Sequence, residues 1–216
     1  MVAVITGLQS GYTKYCCFLC LWDSRAKGHH FIRREWPVRE NYEINAFNIR
    51  NEPLVEANCV ILPPLHIKLG LMKNFVKALD KDEPAFQYLT TFFPSITYAK
   101  LKEGIFVGPQ IRKIMANDQF VQTLSPKEAD GWSSFKQVVD GFLGNNRADN
   151  YQELVENLIR NYHKMGATMS LKMHLLHSHL SFFPENLGSE SDEQGERFHQ
   201  DFIAAIMEYR NNSKRI

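Results

Sequence analysis

The stretch KMHLLHSHL, residues 172–180, places His174, His177 and His179 within six residues. Followed on to Asp201, the same run holds four histidines and six acidic side chains with no long polar linker. A helix on the surface of a protein rarely carries so many titratable groups in so short a space. Either the histidines are metal ligands and one of the glutamates is catalytic, or the run is a solvated helix end.

The answer depends on what can meet these histidines from elsewhere. Cys17-Phe18-Leu19-Cys20 is a C-x-x-C. Two thiolates at this spacing can hold one Zn²⁺, because a tight turn points both sulfurs the same way. Two more ligands are then required, and His174, His177 and His179 are the candidates. His174 and His177 lie one helical turn apart. His174 and His179 are splayed by about 140° on a straight helix, so that pair requires the helix to loosen at its end, near Pro184. The competing reading makes the cysteines small buried residues and the histidines a helix surface. A redox role for the cysteines lacks the strand–helix context of a thioredoxin-like motif.

The whole chain sets bounds. Its 216 residues allow one large domain or two small ones. A hydrophobic fraction of 44% permits a sizeable core, and a net charge of +1 does not announce a nucleic-acid binder, so any such surface is a local patch. No run of 18 apolar residues occurs, so no membrane span is expected. The first residues are apolar without a basic lead, which argues against secretion; a nuclear or cytoplasmic protein is expected. Cys16, Cys17 and Cys20 fall too close together, with only Cys59 elsewhere, to be a disulfide framework. The apolar start reads like the interior of a domain, and the chain stops within an amphipathic pattern, so a fragment is expected.

Periodicity predicts a mainly α protein. Leu65, Leu69, Met72, Val76 and Leu79 follow Pro63-Pro64 at helical spacing. Ser125-Pro126-Lys127-Glu128 reads as a capping box leading to Trp132, Phe135, Val139, Phe142 and Leu143, with Gly144 as terminator. Tyr151, Leu154, Val155, Leu158, Ile159 and Tyr162 form an amphipathic stripe closed by Gly166. A helix is expected from Ser170 to about Phe182, and a last one from Ser191 with Phe198, Phe202, Ile206 and Tyr209 on its apolar face. Trp22 to Pro63 reads as loops with short helices. Strand signals are confined to Tyr15–Leu19 and Val60–Leu62.

Carboxylates that hold two Mg²⁺ ions are the requirement of metal-dependent phosphoryl transfer. Glu196, in Asp192-Glu193-Gln194-Gly195-Glu196, is the best-placed candidate. The competing reading is that acidic residues favour the first turn of a helix through its dipole.

In order along the chain, KYCCFLCLWDSR, PPLHIKLGLMKNFVKAL, GIFVGPQIRKIM, HLLHSH and SDEQGERFHQ resemble transposon-derived invertebrate proteins. More remotely they resemble the catalytic core of Transib transposases and of the vertebrate V(D)J recombinase. That resemblance implies a DDE nuclease on an RNase H-like fold, interrupted by a long helical insertion. It implies structural Zn²⁺ on Cys17, Cys20, His174 and His179, the x4 spacing selecting His179 over His177. It implies Glu196 as the last catalytic acid, with Glu193 nearby, and Mg²⁺ or Mn²⁺ as the catalytic metal of the complete protein. His66 matches a histidine of the insertion with a packing or hydrogen-bonding role. DNA is the implied partner, with a homodimer in the full-length protein. Lys68, Lys73, Lys77, Arg112 and Lys113, on the polar faces of the expected helices, are the candidates for phosphate contacts, the competing reading being ordinary solvated faces.

The implied parts are residues 1–20, the end of the RNase H-like first part; 21–169, the helical insertion; and 170–216, a helical remnant of the α/β core bearing the histidines and the glutamate. The family also needs two aspartates ahead of the C-x-x-C, and here the first aspartate is Asp23. The chain alone is therefore expected not to cleave DNA. Two alternatives are a domesticated, non-catalytic DNA- or protein-binding module and an unrelated helical interaction domain.

Overall fold

The structure is a computed structural model that describes residues 2–11, 13–40 and 42–189. Its helices, in chain order, are α1 (Val2–Ile5), α2 (Pro64–Ala78), α3 (Pro84–Phe92), α4 (Tyr98–Lys102), α5 (Gly108–Met115), α6 (Asp118–Gln122), α7 (Pro126–Gly141), α8 (Tyr151–Lys164) and α9 (Leu171–Ser178). Short 3₁₀ turns occur at Lys27–His29, Ala57–Cys59 and Leu180–Phe182. The mainly α expectation is met, and the described residues contain no strand. None of their helices is long and apolar enough to cross a membrane.

Proline starts α2, α3 and α7 at the first helical position, where its missing N–H costs nothing. The Glu128 carboxylate accepts from the backbone N–H of Ser125 at 2.9 Å and from its hydroxyl at 2.8 Å, so the α7 start is fastened as its sequence suggests. Helix α7 ends at Gly141, three residues before the expected terminator, because Phe142 leaves the helical region at φ −133°. Beyond α8, Gly166 at φ +79° turns the chain in a conformation that a side chain would disfavour.

Helix α2 lies at the centre. It buries Leu65, Ile67, Leu71, Met72, Phe75 and Val76, while His66 and Lys77 stay exposed and Lys68 and Lys73 half-buried. Phe75 sits among Trp132, Tyr162 and Phe120, with ring centroids at 5.1, 6.2 and 6.5 Å. Helices α7 and α8 form an antiparallel pair: Gly131 lies against Met165, Ser134 against Asn161, and Gly141 against Leu154. Helix α9 crosses α2, fixed by the buried Asn74. Its amide donates to the Thr168 carbonyl at 2.9 Å and to the Ser170 hydroxyl at 3.2 Å.

The segment from Leu8 to Pro63 is held differently. It has two isolated antiparallel bridges, Leu8–Ile49 and Cys20–Val38, in place of the strands expected at Tyr15–Leu19 and Val60–Leu62. The C-x-x-C must turn within four residues, so only Cys20 pairs, and the ladder goes no further. Loops with short 3₁₀ turns fill the rest of this segment, as its irregular pattern suggests. The last expected helix, from Ser191, lies outside the described residues.

Candidate metal centre

Helix α9 also ends earlier than expected, and that ending builds the site. Ser170 caps its start by accepting from the Met173 N–H. At the other end His179 leaves the helix, with φ −132° and ψ 38°, while its N–H still donates to the Leu175 carbonyl at 2.9 Å. A 3₁₀ turn follows. The break removes the 140° splay and lets His179 return to the side of His174. The two rings stand perpendicular, with centroids 5.1 Å apart.

The turn carrying Cys17 and Cys20 faces them. Cys20 Sγ lies 3.2 Å from His174 Nε2 and 3.2 Å from His179 Nε2. The donor atoms of Cys17, Cys20, His174 and His179 all fall within 4.8 Å of one another. Zinc–sulfur bonds of about 2.3 Å and zinc–nitrogen bonds of about 2.0–2.1 Å give a tetrahedron with edges of about 3.4–3.8 Å. The two Cys20–histidine separations of 3.2 Å fall just short of those edges. Cys17, Cys20 and His174 are fully buried and His179 half-buried. These four residues could bind a metal ion such as zinc.

Proton affinities within the cluster point the same way. Burial opposes ionisation of Cys17, but hydrogen bonds from Cys20, His174 and His179 and the charge of His174 outweigh it, holding this thiol well below its ordinary range. Cys20 is pushed far upward by its hydrogen bond to Cys17, by burial and by the charge of Cys17. Binding a divalent ion would require both as thiolates. Burial lowers the proton affinity of His174, partly offset by the hydrogen bond and charge of Cys17.

The surrounding residues fix these side chains. Trp22 stacks on His174 at 4.5 Å and 5°, and His30 packs on Trp22 with ring centroids 5.0 Å apart. His30 Nε2 and the Asp23 carbonyl are 2.8 Å apart. Arg39, although buried, donates to three carbonyls: Cys17 at 3.1 Å, Tyr15 at 3.1 Å and Phe47 at 3.2 Å. Tyr42 donates its hydroxyl proton to the Phe18 carbonyl at 2.7 Å. The turn is thus clamped from the 37–47 loop. Sequence reading did not find Trp22, His30 or Arg39. Trp22 stands two residues after the C-x-x-C, an available signal, whereas nothing periodic marks Arg39.

The other expected residues go elsewhere. His177 points away from the cluster into a cleft lined by Phe31, Arg34, Glu156, Ile159, Arg160 and His163. Burial, together with Arg34 and His174, lowers its pKa to about 4. Cys16 is half-buried outside the cluster, and burial beside Cys17 pushes its thiol up to about 11. Lys77 pairs with Glu103 at 2.8 Å, and Lys113 lies over the Phe92 ring at 4.9 Å. Lys68 and Lys73 are half-buried on α2, and Arg112 is exposed on α5. His66 is exposed rather than packed. Glu193 and Glu196 lie outside the described residues.

The described part of the molecule is thus mainly helical, with residues 17–20 and 174–179 brought together in a Cys₂His₂ cluster. In comparison with known families, residues 1–55 match one described as Domain of unknown function (DUF8703), and residues 64–144 match another described as Domain of unknown function (DUF8704). Each cysteine ligand candidate falls in the first, and α2 to α7 in the second; the histidine pair lies beyond both. No curated protein and no solved structure matches the chain.

Proposed function

We propose that this chain is a zinc-clamped helical module of a DDE transposase-like protein, and that it binds DNA. The observation that carries the reading is the convergence of Cys20 with His174 and His179 across 154 and 159 residues of chain. Four protein donors leave no open coordination position, which is the pattern of structural zinc; catalytic zinc keeps one place for water or substrate. Zinc here joins the irregular N-terminal segment to the end of the helical block.

The order of the motifs supports placing residues 21–169 as the insertion of an RNase H-like core, with residues 1–20 and 170–216 belonging to that core. In the complete protein Glu196 would serve as a ligand for Mg²⁺ or Mn²⁺ during DNA strand cleavage and transfer. One carboxylate alone holds such an ion too weakly, and no aspartate precedes Asp23 in these residues. The 216 residues by themselves therefore act as a binding module.

Two measurements test this. Metal analysis of the purified chain should give one zinc per chain. A labelled duplex should bind with an affinity that falls as salt rises, while the chain should nick no DNA with Mg²⁺ or Mn²⁺. Absence of zinc, or DNA binding indifferent to salt, contradicts the corresponding half of the reading.

A further inference from the structure

One face of α2 carries His66, Gly70, Lys73 and Lys77 at successive intervals of four, three and four residues. Each interval is about one turn, ~5.4 Å along the axis. Three of the four positions are basic or titratable, and the gap is Gly70. That gap is filled from another helix. The aliphatic stem of Lys172, on α9, crosses α2 directly over Gly70, so closely that a Cβ at position 70 would overlap it. Asn74 fixes this crossing through its hydrogen bonds to Thr168 and Ser170. Lys172 therefore completes the row, within electrostatic reach of Lys73.

One acid among the described residues lies beside the row. Glu103 pairs with Lys77 at 2.8 Å at one end and also faces Lys73. Among the described residues neither Lys73 nor Lys172 makes an ion pair. Holding two like charges together, one of them carried across a helix, costs free energy that an anion of regular charge spacing would relieve. A small single anion would meet only one position of so extended a row. A phosphodiester backbone meets them in succession.

We propose that Lys172, Lys73 and Lys77 form a track along α2 for the phosphodiester backbone of a nucleic acid, with Lys172 seated in the space left by Gly70. The track rests on the DNA-binding reading above and narrows it. Lys68, Arg112 and Lys113 lie off this face, and a contribution from them is not required.

Fluorescence anisotropy of a labelled DNA duplex against salt, with the full chain, tests the track. Lys172→Ala should weaken binding and reduce the slope of log affinity against log salt by about 0.9, with zinc content unchanged. Gly70→Ala, which displaces the Lys172 stem without removing its charge, should weaken binding in the same direction. Lys127→Ala, exposed at the start of α7, is the reference variant and should leave the slope as it is. If both Lys172→Ala and Gly70→Ala bind with wild-type affinity and slope, the track is wrong and DNA binding stands. If the wild-type chain shows no salt-dependent DNA binding, the DNA reading falls, and the track with it. Salt-dependent capture of polyglutamate but not DNA would overturn both in favour of an acidic protein partner.

Discussion

His179 reaches the cysteines from outside the helix that holds His174, and a single backbone break at the end of α9 makes this geometry available. His177, inside the helix, lines a separate cleft instead. His179→Ala should therefore abolish or sharply reduce bound zinc, whereas His177→Ala should retain one zinc per chain. Equal losses from the two would mean that the histidine assignment is wrong. Arg39 acts one step further out, through the carbonyls of Tyr15 and Cys17. Supporting residues of this kind commonly alter metal affinity roughly 10–100-fold, so competition with a chelator should show Arg39→Met weakened by about that factor. A separate check concerns His177, whose pKa of about 4 lies below that of an unfolded imidazole. Between about pH 6.5 and 4 the unfolded chain binds a proton at this residue that the folded chain does not. Stability from this residue is therefore fully present above that window and is lost as pH falls through it. An NMR titration of the His177 ring should have its midpoint near 4; a midpoint near 6.5 would show the ring to be solvated.

Helices α7 and α8 were the most legible elements, because their apolar residues recur over three or more turns and both ends carry capping or stop residues. Helix α9 was legible in kind but not in length. Its stop is not dictated by Pro184, five residues beyond His179, but by the geometry that brings His179 to the cysteines, and local sequence does not encode that. The 8–63 segment was legible only as irregular. Its order comes from side chains such as Arg39 and Tyr42 reaching backbone carbonyls more than 20 residues away, which leaves no period to read. At the centre, α2 was found from its spacing, yet its burial on several sides identifies Phe75 as the hub only once the partners are assembled. Phe75→Ala should cost about 3–5 kcal/mol in denaturant unfolding. A loss under about 1 kcal/mol would mean that the aromatic cluster is not packed as described.

For the molecule as a whole, the C-x-x-C and the histidine run together suggested a clamp between distant parts of the chain, although which histidines served was settled in the sequence only by resemblance. The fold brings those four residues together, and a metal there would act as a clamp: among the described residues the N-terminal segment has two isolated bridges and no helix packed as firmly as the α7–α8 pair. Metal binding at 1,000 times its dissociation constant adds about 4 kcal/mol to stability, which for a chain of this size corresponds to about 8–16 °C in Tm. Chelation should lower Tm by that order and expose residues 8–55 to protease before the α7–α8 pair. Simultaneous cleavage throughout would mean that the metal does not act as a local clamp. The most direct measurement is X-ray absorption at the zinc edge of the purified, zinc-loaded chain. The account predicts one zinc with two sulfur ligands at about 2.3 Å and two nitrogen ligands at about 2.0–2.1 Å. A chain that takes up no zinc, or a zinc without sulfur in its coordination shell, would contradict it.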